Sequence, residues 1–178
     1  MNYHNITTDD MLNGDGLRVV LWVSGCSQKC FNCHNPQTHD FNSGIPFTGE
    51  TMQELLDDLS QPYISGLTFS GGHPLEPQNL ETVYKIVKTV KEKFPDKSIW
   101  LYTGYTWEEI LKQYKAWEDH EVHGICSLDV VNYCDVLVDG RYEDDKRDIS
   151  LAWRGSSNQR VISIQESLNQ GKVVLHCK

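Results

Sequence analysis

Three cysteines share one short loop, at Cys26, Cys30 and Cys33, with the spacing C-x3-C-x2-C. They directly follow an apolar run, residues 17–25, that predicts a buried strand. A structural zinc site normally takes four protein ligands, whereas a cubane iron-sulfur cluster held by three thiolates keeps one iron open to another ligand. The spacing therefore predicts a metal loop at a strand end, with one coordination position left for chemistry.

Chain length and net charge limit the number of domains and the classes of protein to which the chain can belong. With 178 residues and a formal net charge of -9, the chain suits a single domain, 1–178, without the basic stripe of a nucleic-acid-binding protein. No apolar stretch approaches the roughly 20 residues of a membrane span, and the N-terminus lacks signal-peptide features, so we expect a soluble cytoplasmic protein. Clustered cysteines without a secretory signal favour free thiols and a metal over disulfides. We expect Cys126, Cys134 and Cys177 to be buried or incidental.

Short apolar runs alternate with amphipathic segments, which is typical of βα units on a parallel sheet. The predicted strands are residues 17–24, 66–70, 98–103, 135–139, 160–164 and 172–176. Capping boxes at Thr51 to Glu54 and Thr106 to Glu109 predict two helix starts, and residues 78–94 predict a further amphipathic helix. A closed eight-unit barrel takes about 250 residues. We therefore expect an α/β fold with an open, partial (βα) barrel of about five or six parallel strands.

Several segments together carry a resemblance to a known family. They are Asn13–Arg18, Trp22–Cys26, Ser70–Leu75, Tyr102–Tyr105, Leu137–Arg141 and Trp153–Gln159. The cysteine spacing resembles that of the radical S-adenosylmethionine enzymes. The Gly-Ser-Ser-Asn-Gln stretch at 155–159 resembles, within that superfamily, the glycyl-radical activases of anaerobic ribonucleotide reductases. The resemblance covers most of the chain and implies the radical SAM type of open barrel.

The resemblance implies two cofactors, one 4Fe-4S cluster and S-adenosyl-L-methionine. Cys26, Cys30 and Cys33 would hold the cluster, and the amino and carboxylate groups of S-adenosylmethionine would chelate its free iron. An electron from the cluster then breaks a carbon-sulfur bond and gives methionine and a 5′-deoxyadenosyl radical. The residues alone leave open a zinc site completed by His34 or His39.

A second motif, Ser70-Gly-Gly-His-Pro74, follows a predicted strand. Paired glycines let a ligand approach the backbone where a Cβ would hold it away, although a Gly-Gly pair is also a common plain turn. The resemblance assigns Gly71 and Gly72 to the amino group of S-adenosylmethionine. Many relatives carry an acidic residue where this chain has His73, which leaves the backbone role intact.

Other residues are assigned to the cofactor by resemblance and by their place at strand ends. The backbone of Asn32, Cys33 and His34 is expected to face the adenine, with the His34 ring as a candidate stacking partner. Thr103 and Asp139 each end a predicted strand, at the depth where ribose hydroxyls or the methionine carboxylate would bind. The alternative for Asp139 is a turn-forming Asp-Gly.

The implied activity is abstraction of a hydrogen atom from a glycine Cα on the large catalytic subunit of an anaerobic ribonucleotide reductase. Because the radical comes from the cofactor, no catalytic side chain is assigned. The resemblance also implies a flavodoxin or ferredoxin type electron donor, and no nucleic-acid or membrane partner is expected. The alternatives are an activase of another glycyl-radical enzyme, such as pyruvate formate-lyase, and, in a different class, a zinc-binding interaction module.

Overall fold

The computed structural model describes residues 1–119 and 124–177. Its strands are β1 (Asn2–Asp10), β2 (Leu17–Val23), β3 (Ile45–Pro46), β4 (Ile64–Gly71), β5 (Ser98–Tyr102), β6 (Val136–Asp139) and β7 (Arg160–Ser163). Its α-helices are α1 (Gly49–Leu59), α2 (Pro77–Lys93), α3 (Trp107–Asp119), α4 (Ser127–Val131) and α5 (Ile164–Gln170). The strands form one sheet in the order β3-β1-β2-β4-β5-β6-β7.

The sheet is mixed. Its centre, β2-β4-β5-β6, is parallel, whereas β1 pairs antiparallel with β2 and with β3, and β7 pairs antiparallel with β6. The predicted α/β class is therefore confirmed, and the prediction of parallel strands throughout is wrong. The strand predicted at 160–164 is β7, Arg160–Ser163, and it runs antiparallel. The 140–159 connection contains only a short 3-10 turn, whereas a parallel strand needs a long crossover, usually helical.

One observed strand was not predicted, and one predicted strand is absent from the described residues, each for a local reason. β1 was not predicted because its sequence NYHNITTDD is mostly polar and Tyr3 is its one buried residue. It completes the sheet by lying along β2, with irregular register between Tyr3 and Asn5. Residues 172–176 form no strand. The chain turns at Gly171 (φ 65) after α5, and only Leu175 makes an isolated bridge, to Ile162.

Two of the three helix predictions are confirmed, and the third is wrong in position. Thr106 and Glu109 form the predicted capping box, with Thr106 N donating to Glu109 Oε2 at 2.8 Å and Glu109 N donating to Thr106 Oγ1 at 3.2 Å. The helix predicted over 78–94 is α2. The box predicted from Thr51 is wrong in position, because Thr48 is the N-cap and Thr51 is its third helical residue.

The side chains of each strand alternate between two packed layers, as expected for a sheet covered on both faces. On one face, Val19, Leu21 and Leu67 join the large core formed with the helices. On the other face, Trp100, Val138 and Val161 pack with Trp153, which belongs to the 140–159 connection. The parallel strand ends are thus fixed from both sides, which gives the loops that follow them a rigid base.

Candidate functional site

The cysteine loop, residues 24–35, and the Gly-Gly motif lie together at one edge of the sheet. Val23, the last residue of β2, pairs with Gly71, the last residue of β4. The backbone then continues the contact, because Gly72 N donates to Val23 O at 2.8 Å and His73 N donates to Gly25 O at 2.8 Å. The structure therefore brings the two predicted motifs together at the carboxyl ends of adjacent parallel strands.

The three thiols of the loop are free and partly exposed. Burial raises the pKa of the Cys26 thiol, backbone amides of the loop oppose the shift, and repulsion from Glu76 and Cys30 adds to it. Burial likewise raises the pKa of Cys33, a bond from Asn35 N to its Sγ at 3.4 Å opposes this, and Cys30 raises it further. Cys30 is therefore near enough to Cys26 and Cys33 for a thiolate at this position to raise the pKa of both thiols.

The loop supplies donors of the kind that an iron-sulfur cluster takes. In residues 1–119 and 124–177, no three His, Cys, Asp or Glu side chains converge closely enough to ligate a single metal ion. A four-iron cluster sets a different requirement, because each cysteine sulfur binds its own iron and the sulfurs stand further apart. The three partly exposed thiols of this loop are donors of the right kind and number for a cluster with one open iron.

The loop turns through unusual backbone conformations around Cys30. Lys29 (φ 45) and Asn32 (φ 53) are both left-handed, a conformation that costs a non-glycine residue on the order of 1–3 kcal/mol. Phe31, between these two residues, is 77% exposed, and His34, which follows them, is also exposed. Asn32 Nδ2 donates to Asp144 Oδ2 at 3.1 Å, which links the loop to the 140–159 connection. The turn therefore presents its side chains outward and is restrained from one side.

The two glycines of the motif are required by the packing of the chain itself. Gly71 has φ +92, and a Cβ on Gly72 would lie 2.7 Å from Gly25 O and 2.9 Å from Val23 O. The glycines thus allow the backbone of the cysteine loop to approach the end of β4. This packing within the chain is a more specific reason for glycine than the ligand approach that the sequence suggested, and the backbone contact to the cofactor remains a prediction.

A buried hydrogen-bond network connects the cysteine loop to two strand ends. Glu76 Oε1 accepts from Ser27 N at 2.8 Å, from Ser27 Oγ at 2.6 Å and from His73 Nδ1 at 3.1 Å. His73 Nε2 lies 2.7 Å from Thr103 Oγ1, at the end of β5. Burial would raise the pKa of the Glu76 carboxyl, but the bonds from His73 and Ser27 outweigh it and hold the pKa at about 2. The network therefore contains an ionised carboxylate next to Cys26.

The structure places Asp139 in a second buried network. Its side chain is 1% exposed, Oδ2 accepts from Trp107 N at 2.8 Å, and Oδ1 accepts from Arg160 Nε at 3.0 Å. Both carboxylate oxygens are thus engaged, at the start of α3 and on β7. Thr103 is similarly engaged, since Tyr105 N donates to its Oγ1 at 3.1 Å. The cofactor contacts predicted for Thr103 and Asp139 remain predictions.

The Gly-Ser-Ser-Asn-Gln stretch closes the 140–159 connection on itself. Gln159 Oε1 accepts from Gly155 N at 3.0 Å and from Ser156 N at 3.2 Å, while Gln159 Nε2 donates to Gly140 O at 3.0 Å. Ser156 is fully buried, and its Oγ accepts from Glu143 N at 3.2 Å. This segment therefore holds the connection that carries Asp144.

Glu76 is the site residue that the sequence prediction missed. The signal was the spacing of His73 and Glu76, three residues apart across Pro74, immediately before a helix. The remaining cysteines lie on other elements: Cys134 is buried, as predicted, and Cys126 and Cys177 are partly buried. No helix in the described residues is long and apolar enough to cross a membrane.

Comparison with known proteins shows the family to which the chain belongs. A family model described as a 4Fe-4S single cluster domain matches residues 12–162, which places the chain in that class. An anaerobic ribonucleoside-triphosphate reductase-activating protein of Enterobacteria phage T4 is 45% identical over 163 residues, 92% of this chain and 94% of the relative. Proteins of the same name from Pasteurella multocida (strain Pm70) and Escherichia coli (strain K12) are 41% and 40% identical, each over 90% of this chain and 96% and 97% of the relative. The chain belongs to the family of anaerobic ribonucleoside-triphosphate reductase-activating proteins.

Proposed function

We propose that this protein activates an anaerobic ribonucleoside-triphosphate reductase by generating a glycyl radical on its large subunit. The observation that carries the proposal is the junction of the cysteine loop with Gly71 and Gly72 at the carboxyl ends of β2 and β4. The names of the relatives give the partner, and the family model gives the cluster. When bound, the cluster and S-adenosylmethionine supply one-electron reductive cleavage of the cofactor to methionine and a 5′-deoxyadenosyl radical.

The residues of this chain serve as ligands and as a scaffold. Cys26, Cys30 and Cys33 would hold the cluster, since they are free, partly exposed and on one loop. The backbone at Gly71 and Gly72 lies against that loop, and it would contact the ligand that binds the open iron of the cluster. Positioning rather than proton transfer is the protein's contribution, so no general acid or base is assigned.

The adenosine part of the cofactor would lie along the strand ends. The exposed turn supplies the backbone of Asn32, Cys33 and His34 for the adenine. Thr103 and Asp139 remain proposed contacts to the ribose or to the methionine carboxylate. Since their oxygens already accept hydrogen bonds in the protein, binding there would use remaining lone pairs or exchange a partner.

The parallel strands β2, β4, β5 and β6 support assignment to an open partial barrel of the radical SAM type. An open sheet suits a protein substrate, because a folded glycine loop can approach from the side. A flavodoxin or ferredoxin type donor and a cytoplasmic location complete the proposal.

Anaerobic iron and sulfide analysis with a product assay for 5′-deoxyadenosine tests the proposal. We expect a 4Fe-4S cluster, and cleavage of S-adenosylmethionine when a strong reductant is added. Parallel assays with the reductase and with pyruvate formate-lyase separate the two activase assignments by which partner acquires a radical. Zinc in place of iron, with no cleavage product, would favour the interaction module instead.

A further inference from the structure

Glu76 lies against the first turn of the cysteine loop. Its side chain is buried, with the residue 4% exposed, and it comes from the junction between β4 and α2. The two bonds from Ser27 to Oε1, at 2.8 and 2.6 Å, fix the carboxylate at the residue that directly follows Cys26. The charge is therefore held within one residue of a proposed cluster ligand.

In the described part of the chain, no lysine or arginine is paired with this carboxylate. Among the residues that the structure describes, the one ion-pair partner of Glu76 is His73, at 3.1 Å. The His73 ring lies between the carboxylate and the Thr103 hydroxyl, with Nδ1 donating to Glu76 and Nε2 2.7 Å from Thr103 Oγ1. The Glu76 carboxylate therefore lies in a buried, weakly screened position, where its charge acts on its surroundings.

A fixed negative charge shifts the reduction potential of a nearby iron-sulfur cluster in a known direction. The reduced cluster carries one more negative charge than the oxidised cluster, so a nearby carboxylate disfavours reduction and lowers the reduction potential. On the basis of the proposed function, we infer that Glu76 is a positioning residue that also lowers the reduction potential of the cluster held by Cys26, Cys30 and Cys33. A lower potential makes the reduced cluster a stronger donor toward the sulfonium of S-adenosylmethionine.

The test is the midpoint potential of the reconstituted cluster in Glu76→Gln. Glutamine keeps the size of the side chain and an oxygen that can accept from Ser27, but it removes the charge. We expect a more positive potential than in the wild type, at unchanged iron and sulfide content. The matched control is Glu81→Gln on α2, the helix that begins directly after Glu76. The Glu81 side chain is 72% exposed and paired with Lys85, so this variant should keep the wild-type potential.

If Glu76→Gln folds but holds no cluster, a second variant tests whether Glu76 lowers the reduction potential. Ser27→Ala removes the hydroxyl donor but keeps the carboxylate, so the less compensated charge should move the potential to more negative values. A wild-type potential in cluster-loaded Glu76→Gln, or an unchanged or raised potential in Ser27→Ala, would overturn the inference. A wild-type protein that forms no cluster would instead contradict the proposed function itself.

Discussion

Asn32, between the second and third cysteines of the loop, donates a side-chain hydrogen bond of 3.1 Å to Asp144 in the connection between β6 and β7. The bond joins segments separated by 112 residues in sequence. Because Asn32 is left-handed, with φ 53, an external restraint helps to keep the turn in this conformation. The 140–159 connection, held together by Gln159, is therefore part of what shapes the cysteine loop.

Replacing Asp144 by Ala should loosen the cysteine loop without unfolding the protein. The bond is exposed, so its contribution to global stability is small, but its loss frees the strained turn around Asn32. We expect faster bleaching of the reconstituted cluster in air, followed by visible absorbance. Asp145→Ala, one residue further along, is the control and should bleach at the wild-type rate.

Cys30→Ala should prevent normal cluster assembly, because the two remaining thiolates cannot hold a cubane as three do. Anaerobic iron and sulfide analysis after reconstitution measures this directly. Cys126→Ala is the control, since Cys126 lies at the start of α4, outside the loop, and should leave the cluster content unchanged. Full iron content with wild-type activity in Cys30→Ala would refute the ligand assignment.

Gly72→Val should destabilise the fold as well as weaken cofactor binding. A Cβ at this position would lie 2.7 Å from Gly25 O, so the end of β4 and the cysteine loop must separate. We expect a loss of about 1–3 kcal/mol in the free energy of unfolding, measured by urea denaturation of the cluster-free protein. Gly49→Ala is the control, because a Cβ there meets nothing within 4 Å. Unchanged stability in Gly72→Val would show that the contact relaxes at no cost.

The stabilising effect of Glu76 should depend on pH. Its folded pKa of about 2 lies below the ordinary value of 4.5, so the ionised carboxylate stabilises the fold above about pH 4.5, and this stability is lost as the pH falls toward 2. The difference in unfolding free energy between wild type and Glu76→Gln should therefore be larger at about pH 6 than at about pH 3. Urea titrations of the cluster-free proteins measure both values, and a difference independent of pH would argue against an ionised Glu76.

The sequence predicted the central parallel strands and the position of the cysteine loop because both depend on local patterns. The apolar run over 17–23 and the clustered thiols are visible without any knowledge of the fold. β1 could not be found in this way, since its polar residues are held by pairing along β2 rather than by burial. The direction of β7 depends on a connection without a crossover helix, which a strand-helix pattern does not reveal.

The candidate site likewise combines residues that local sequence patterns predict with residues whose role depends on distant contacts. The grouping of Cys26, Cys30 and Cys33 could be predicted because the three residues are close in sequence and lie on one loop. Glu76 was missed because its role depends on a contact with Ser27, 49 residues away in sequence. The tight packing at Gly72 likewise depends on a separate segment, at Gly25, so only the structure shows why glycine is needed there.

The most direct test of the proposed function is electron paramagnetic resonance of the reductase after anaerobic incubation with this protein, S-adenosylmethionine and a strong reductant. We expect a glycyl-radical signal on the reductase large subunit that requires the intact cysteine loop and is absent with Cys30→Ala. Formation of 5′-deoxyadenosine should accompany the signal. The proposed function would be contradicted if cluster-loaded wild-type protein produced no reductase radical under these conditions. It would also be contradicted if the Cys30→Ala variant produced the radical as well as the wild type.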